Sequence, residues 1–229
     1  MSDMFLKMGH RGAMGYVTEN TMEAVHLALE LGVDGVEVDV HVCGSGELVV
    51  FHDFTLDRMT NGSGEISKWT LSDLKQLKVD SAFYIPTLEE ILNLVGDKYL
   101  VNIELKGKST ALKTCEIIQD FVKTKYWNYS NFLVSSFQHG ELEQVFRIDK
   151  AIPLGVLTEA NLIEAIDFAE TINAWSIHPN YTLLTSEDVK YAQAKGYKVI
   201  TWTVNEMATI KRMKQYGVDG IISDKPDIL

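Results

Sequence analysis

Polar and apolar residues alternate strictly along Val36–Val42, which is the period of a β-strand. The four valines of this stretch fall on one face, and Glu37 and Asp39 fall on the other. A turn rich in glycine follows, and the apolar run Leu48–Phe51 then leads into His52-Asp53. Pairing of the two runs as a hairpin would return the second run to the level of the carboxylates. The pattern therefore predicts that two carboxylates and an imidazole lie close together.

This strand has two interpretations. For an isolated Glu-x-Asp pair, a hairpin with a solvated acidic face is the more common structure. Here the alternate face is wholly apolar, which indicates burial of the strand. Because carboxylates in a buried strand require a compensating cation, the apolar face favours a functional site over a solvated hairpin.

The rest of the chain alternates between apolar runs of strand length and stretches with helical periodicity. The pattern predicts strands over Met4–His10, Gly35–Val40, Tyr99–Leu105, Asn131–Ser136, Pro153–Leu157, Ala174–His178, Lys198–Val204 and Gly220–Ser223. It predicts helices over Thr21–Leu31, Pro86–Val95, Leu112–Lys123, Leu142–Ile148, Leu162–Thr171, Ser186–Lys195 and Met207–Tyr216. A largely polar excursion, residues 54–85, interrupts this rhythm after the hairpin.

Eight strands that alternate with helices predict an α/β fold, namely a (β/α)8 TIM barrel with an extra hairpin strand and a small insertion after the second barrel strand. A repeated junction supports this fold, because Gly32–Asp39 (GVDGVEVD) resembles Gly217–Asp224 (GVDGIISD). A doubly wound open sheet is the alternative, and it is disfavoured because no Gly-rich phosphate loop follows the first strand. No linker is evident, so residues 1–229 are expected to form one domain.

The first helix carries boundary signals of its own. Asn20 is predicted to cap its amino terminus, with Glu23 reaching back as in a capping box, and Gly32 is predicted to close it.

Composition and charge narrow the class of partner. The chain has 229 residues, 46% of them hydrophobic, and a formal net charge of −11, which argues against a nucleic-acid or anionic-membrane surface. The two cysteines, Cys43 and Cys115, lack the spacing of a zinc motif and are expected to be reduced thiols. The amino terminus resembles neither a signal peptide nor a membrane span, so a cytoplasmic protein is expected. The oligomeric state stays open, a homodimer included.

In a barrel of this kind the active site lies at the carboxyl ends of the strands. Glu37, Asp39 and Glu104 fall there without a cysteine beside them, and such a set of oxygen ligands suits Mg²⁺ or Ca²⁺, with Mn²⁺ as a further candidate. Alternation along the Glu104 strand suggests that Glu104 faces Glu37 and Asp39 across the barrel mouth. An ion pair between Glu104 and Lys106 on the strand face is the structural alternative.

Six short motifs follow one another along nearly the whole chain, and together they are far more specific than any one of them. They are His10-Arg11-Gly12, Glu19-Asn20-Thr21, Glu37-x-Asp39, His52-Asp53, Asn102-Ile103-Glu104-Leu105-Lys106 and Trp202-Thr203-Val204-Asn205. In type and order they resemble the glycerophosphodiester phosphodiesterase family. One departure is visible, since Thr18 stands where the family commonly has proline before Glu-Asn-Thr.

The resemblance implies a TIM barrel that hydrolyses a small glycerophosphodiester, such as glycerophosphocholine or glycerophosphoethanolamine, to glycerol 3-phosphate and an alcohol. It implies a divalent metal on Glu37, Asp39 and Glu104, and an acid and base pair formed by His10 and His52. Arg11 and Lys106 then contact the phosphate. The chemistry is consistent with these roles, because cations must screen a phosphodiester from its nucleophile and two groups that titrate near neutrality must move protons.

Other residues carry weaker signals. Trp202 and Phe137 are candidates to pack against the glycerol or the leaving group, and Glu19 is expected to organise the first loop. His41 shares the carboxylate face and is expected to be a solvated position rather than a ligand. His26 is expected on the surface, and the register places His139 and His178 at the barrel mouth.

Two other functions stay open. One is a relative that cleaves lysophospholipids or sphingolipids, in the manner of a lysophospholipase D or a sphingomyelinase D. Such an enzyme would need an exposed apolar surface beside the barrel mouth. The excursion is mostly polar apart from Trp69, so this function is disfavoured. A catalytically silent barrel used as a binding module would be favoured by loss of a histidine or a carboxylate, and none is lost.

Overall fold

The computed structural model describes residues 5–229, so the predicted strand start at Met4 lies outside the described part. Within this part the strands are β1 (Leu6–Gly9), β2 (Gly35–Val42), β3 (Leu48–Val50), β4 (Leu100–Leu105), β5 (Phe132–Ser136), β6 (Leu154–Thr158), β7 (Ser176–Pro179), β8 (Lys198–Thr201) and β9 (Gly220–Ser223). The helices are α1 (Met22–Glu30), α2 (Leu71–Leu74), α3 (Leu88–Val95), α4 (Ala111–Thr124), α5 (His139–Ile148), α6 (Leu162–Thr171), α7 (Ser186–Ala194) and α8 (Met207–Tyr216). None of these helices is long and apolar enough to cross a membrane.

Eight parallel strands close into a barrel. The hydrogen-bonded order runs from β1 through β9, β8, β7, β6, β5 and β4 to β2, and a pairing of β1 with β2 completes the ring. β3 pairs with β2 in antiparallel fashion and lies outside the ring, with Val40 opposite Val50. This arrangement confirms the predicted (β/α)8 barrel with an extra hairpin strand.

The repeated sequence junction is also a repeated structure. Asp34 accepts a hydrogen bond from the backbone N–H of Lys7 at 2.8 Å, and Asp219 accepts one from Val199 at 2.9 Å. In both copies a carboxylate at the helix-to-strand junction therefore fixes the neighbouring strand. Gly32 and Gly217 begin the two junctions with positive φ angles of 78° and 83°, which glycine adopts without steric cost.

Hydrophobic side chains form three clusters. The largest lies between the barrel and its helices, and a second includes Met8 and Ile222, which pair across β1 and β9. The third joins the hairpin to the excursion and buries Leu56, Ile66 and Leu74 among others. The excursion therefore has apolar residues besides Trp69, which their irregular spacing did not reveal and which the folded loop brings together.

The cap of α1 also differs from the prediction. Thr21, not Asn20, is the N-cap residue, and its hydroxyl accepts a hydrogen bond from the backbone N–H of Ala24 at 3.1 Å. Asn20 is buried with a positive φ of 57° and donates from its side chain to Asp39 at 2.9 Å. The first loop thus directs Asn20 into the barrel mouth and leaves the cap to its neighbour.

His178 lies in the barrel interior rather than at its mouth, and it is fully buried. Its Nε2 atom lies 2.8 Å from the hydroxyl of Ser176, and a Cβ at Gly155 would lie 2.7 Å from the same nitrogen. Glycine is therefore required opposite the ring. Burial lowers the pKa of His178 to about 3, so the folded protein holds this imidazole neutral.

The free energy of unfolding should accordingly fall as the pH drops below 6.5, the ordinary pKa of histidine. Below that pH the unfolded chain binds a proton at His178, whereas the folded protein binds one there only near its pKa of about 3. At pH 5 the cost is about 2 kcal/mol. Urea unfolding of the wild type and His178→Gln at pH 7 and pH 5 measures it. The variant should lose about 2 kcal/mol less between the two pH values, and equal losses would contradict this account.

Candidate active site

A cavity of about 340 Å³ opens at the carboxyl ends of the barrel strands. Its lining includes eight of the nine predicted site residues, namely His10, Arg11, Glu37, His52, Glu104, Lys106, Phe137 and Trp202. The ninth, Asp39, is 1% exposed and lies in contact distance of Arg11 and Lys106. The structure thus brings together all nine predicted site residues.

Three carboxylates converge at one side of this cavity. Glu37, Asp39 and Glu104 each offer an oxygen within 4.8 Å of the others, and all three are buried. Asp39 lies directly opposite Glu104 in the pairing of β2 with β4. Glu104 is therefore beside the other two carboxylates and not across the mouth from them, because the hairpin return β3 leaves the barrel wall and makes β4 the neighbour of β2.

The buried negative charge of this cluster favours binding of a cation. Burial and the neighbouring Asp39 raise the pKa of Glu37 well above its ordinary value and that of Glu104 to about 7. Oε1 of Glu37 is buried without a hydrogen-bond partner. Clustered buried carboxylates with an unpaired oxygen fit a hard divalent metal ion, and these three residues are the ones that could hold it.

Two basic side chains flank the carboxylates. Arg11 donates from its backbone to Glu37 at 2.9 Å, and its Nε atom lies 3.3 Å from Asp39 without the geometry of a hydrogen bond. Lys106 donates to Glu104 at 3.0 Å, as the alternative ion-pair interpretation proposed. That pair does not exclude the metal interpretation, since Lys106 also lies 3.9 Å from Asp39 and borders the same cavity.

Both cavity histidines are held by an aspartate. Nδ1 of His10 lies 2.6 Å from Asp224, and Nδ1 of His52 lies 2.7 Å from Asp53. A carboxylate on Nδ1 orients an imidazole and leaves its Nε2 for other partners. Nε2 of His10 lies 3.9 Å from Glu37, so one histidine approaches the carboxylate cluster directly. Burial lowers the pKa of His52.

Neither aspartate was predicted to contact a histidine, although the repeated junction pointed to Asp224. Asp224 closes the second copy of the repeated junction at the position that Asp39 holds in the first. The side chain of Asn205 holds Asp224 in place. Its amide N–H donates to the carboxylate of Asp224 at 2.6 Å, and its amide oxygen accepts a hydrogen bond from the backbone N–H of Asp224 at 2.9 Å. Two equivalent strand ends thus carry carboxylates, one in the acidic cluster and one against His10.

The remaining histidines do not line the cavity. His41 is buried, its Nε2 lies 3.1 Å from the carbonyl of His52, and burial lowers its pKa, so the predicted solvated position was wrong. Antiparallel pairing with β3 covers this end of β2. His26 is exposed as predicted, and His139 is an exposed ring stacked on Phe168 with centroids 3.7 Å apart.

Two aromatic rings form the opposite wall of the cavity. Phe137 and Trp202 meet edge to face with centroids 5.5 Å apart. The indole N–H of Trp202 donates to the carbonyl of His178 at 2.7 Å, which fixes the ring. The cavity therefore has carboxylates on β2 and β4 and aromatic rings after β5 and β8, and Glu159 lines it after β6.

A closed parallel barrel with acidic, basic and imidazole groups in one cavity at the strand ends defines an enzyme of the TIM-barrel class. The sequence profile of the glycerophosphoryl diester phosphodiesterase family matches residues 10–228. The chain belongs to this family of phosphoric diester hydrolases.

Individual relatives are similar over nearly their full length. A glycerophosphodiester phosphodiesterase of Caldanaerobacter subterraneus subsp. tengcongensis is 38% identical over 98% of this chain and 96% of its own. One of Bacillus altitudinis is 37% identical, covering 95% and 94%. Among solved structures, a phosphodiesterase of Oleispira antarctica in complex with the product sn-glycerol-3-phosphate superposes with a TM-score of 0.87 at 29% identity, covering 96% of this chain and 93% of that one.

Addition of Mg²⁺, Ca²⁺ or Mn²⁺ to EDTA-treated protein should raise its thermal midpoint, because a bound cation stabilises only the folded carboxylate cluster. The response should weaken as the pH falls through about 7, where Glu104 takes up a proton and stops being a ligand. Scanning fluorimetry at pH 8 and pH 6 measures both effects.

Glu104→Gln should abolish the response, whereas Glu116→Gln, a change of an exposed glutamate on α4, should preserve it. A full response in Glu104→Gln would place the metal elsewhere.

Proposed function

We propose that this protein hydrolyses small glycerophosphodiesters to sn-glycerol 3-phosphate and an alcohol, with one divalent cation. The observation that carries the proposal is the meeting of two aspartate-held histidines, His10 and His52, with the acidic cluster in one cavity. The volume of that cavity suits a ligand of a few carbons. The Oleispira relative, with its bound sn-glycerol-3-phosphate, supports the product.

Glu37, Asp39 and Glu104 are proposed to hold the cation, with Mg²⁺, Ca²⁺ and Mn²⁺ as candidates. When bound, the cation would supply positive charge for the non-bridging phosphate oxygens. Asn20 would orient Asp39, to which it donates at 2.9 Å. Partners of this kind fix the direction of a ligand's free lone pairs.

Arg11 and Lys106 are proposed to bind the phosphate. Both border the cavity, and both already neutralise the carboxylates, so they stay in place before substrate arrives. The guanidinium offers a planar fork to two oxygens, and the ammonium offers a point charge. Charge that develops on the phosphate in the transition state would thus meet donors that need no rearrangement.

His10 and His52 are proposed to move the two protons of the reaction through their Nε2 atoms. One accepts the proton of the attacking hydroxyl, and the other donates to the departing alkoxide. Asp224 and Asp53 hold the Nδ1 side of each ring and stabilise the imidazolium that forms. Phe137 and Trp202 are proposed to pack against the glycerol, because their rings line the same cavity.

A cytoplasmic location is proposed on the basis of Cys43 and Cys115. Both are buried free thiols, and neither has a disulfide partner among the described residues. Thiols of this kind are typical of a reducing compartment.

The reaction is tested by incubating the protein with glycerophosphocholine, glycerophosphoethanolamine and lysophosphatidylcholine, with EDTA and then with each metal restored. We expect glycerol 3-phosphate from the first two substrates, abolished by EDTA and restored by at least one cation. Release of lysophosphatidic acid alone would assign the enzyme to lysophospholipids instead. No product with any metal would support a silent barrel.

Single substitutions His10→Ala and His52→Ala should each lower kcat by roughly 10²- to 10⁴-fold, the usual contribution of general acid or base catalysis. Thermal midpoints should stay near that of the wild type, since both side chains are partly exposed. His26→Ala on the exposed face of α1 is the matched control and should leave kcat unchanged. Activity like that of the wild type in either cavity variant would refute the acid and base assignment.

A further inference from the structure

Arg58 lies in the excursion, yet it contacts two carboxylates that in turn contact side chains of the cavity. Its Nε and Nη2 atoms donate to the two oxygens of Asp53 at 2.6 and 2.9 Å. Its Nη2 and Nη1 atoms donate to the two oxygens of Glu19 at 2.8 and 3.2 Å. One guanidinium thus joins a residue of the first loop to a residue that follows the hairpin.

Each of these carboxylates in turn holds a side chain of the cavity. Glu19 accepts a hydrogen bond from Nη1 of Arg11 at 2.7 Å, and Asp53 lies 2.7 Å from Nδ1 of His52. Arg58 therefore stands at the centre of a continuous chain of contacts that runs from the proposed phosphate ligand to a proposed proton carrier.

We propose that Arg58 is a positioning residue, which sets Arg11 and His52 relative to each other through Glu19 and Asp53. This inference rests on the proposed function, because it gives the excursion a part in the same reaction. Arg58 acts without touching the substrate, because its side chain does not line the cavity. Formation of the active site then depends on correct folding of the excursion against the first loop.

The excursion holds Arg58 firmly enough for this role. The turn that carries it begins at Leu56, which is fully buried, and Thr60 donates back to the carbonyl of Leu56 at 3.0 Å. The carbonyl of Met59 accepts the backbone N–H of Asp80 at 2.8 Å. The neighbours of Arg58 in sequence are thus fixed by packing and by backbone hydrogen bonds.

Arginine is suited to this place and lysine is not. A guanidinium presents several N–H groups in a rigid plane and can serve two carboxylates at once, whereas an ammonium is a single point charge. The side chain is also 48% exposed, so its ion pairs contribute little to overall stability. Loss of Arg58 should therefore reduce activity far more than it reduces stability.

A matched control exists in the same contact between loop and excursion. The hydroxyl of Thr18 donates to Asp80 at 2.9 Å and likewise ties the first loop to the excursion. Unlike Arg58, neither residue contacts Glu19 or Asp53 through a side-chain hydrogen bond in the described part of the chain. Thr18→Val therefore loosens the same junction without breaking the chain of contacts.

The first test measures kcat and KM for release of glycerol 3-phosphate from glycerophosphocholine. Arg58→Met should lower kcat by roughly 10- to 100-fold, the usual cost of losing an orienting partner. Arg58→Lys should recover part of this loss, and Thr18→Val should stay near the wild type. A kcat for Arg58→Met like that of the wild type, or an equal loss in Thr18→Val, would overturn the proposal.

The second test does not require turnover. The charged groups that face His52 are Asp53, Asp39, Arg11 and Lys106. The hydrogen bond from Arg58 lowers the pKa of Asp53 to about 2, and removal of that cation leaves the full carboxylate charge to act on the imidazole. An NMR titration of metal-free protein, with the His52 signal assigned through His52→Gln, should show that the pKa of His52 is higher in Arg58→Met than in the wild type.

The two tests separate failure of the inference from failure of the proposed function. A wild type that releases no glycerol 3-phosphate would refute the function, and the NMR arm would still decide the part played by Arg58. A higher pKa of His52 in Arg58→Met, with an unchanged pKa in Thr18→Val, supports the positioning role. An unchanged His52 titration overturns it.

Discussion

The burial of three like charges at the end of two adjacent strands is the constraint on which the rest of the site depends. Glu37, Asp39 and Glu104 cannot all be ionised in a dry pocket without cations nearby, and the raised pKa values of the two glutamates express this cost. Arg11 and Lys106 supply part of the compensation. The unpaired oxygen of Glu37 shows that this charge compensation is incomplete. Incomplete compensation is the physical reason to expect a metal ion.

Parallel strands make such a cluster possible. Period-two alternation sends the valines of β2 to the helices and its carboxylates to the barrel interior, and register places Asp39 beside Glu104. The histidines reach the same cavity from different directions, one after β1 and one after the hairpin return. Each is held by an aspartate, so the barrel fixes both rings before a substrate is present.

The excursion has a hydrophobic cluster of its own, and its contribution to the site passes through polar contacts at its edge. Arg58 meets Glu19 and Asp53, and Asp80 meets Thr18. Thr18, which precedes the Glu19-Asn20-Thr21 motif, thus takes part in the junction between loop and excursion. A small insertion can influence chemistry in this way without entering the cavity.

The sequence by itself determined the eight barrel strands, the helices between them and the identity of the clustered carboxylates, because periodicity and motif spacing are local properties of the chain. The last helix and strand were predicted to the residue. The predicted cap at Asn20 and the solvated His41 were wrong, since each side chain finds a distant partner that local pattern does not reveal. Contacts such as His10 with Asp224, which are 214 residues apart, exist only once the ring closes. Tertiary structure alone decided them, because closure of the barrel brings the first and last strands together.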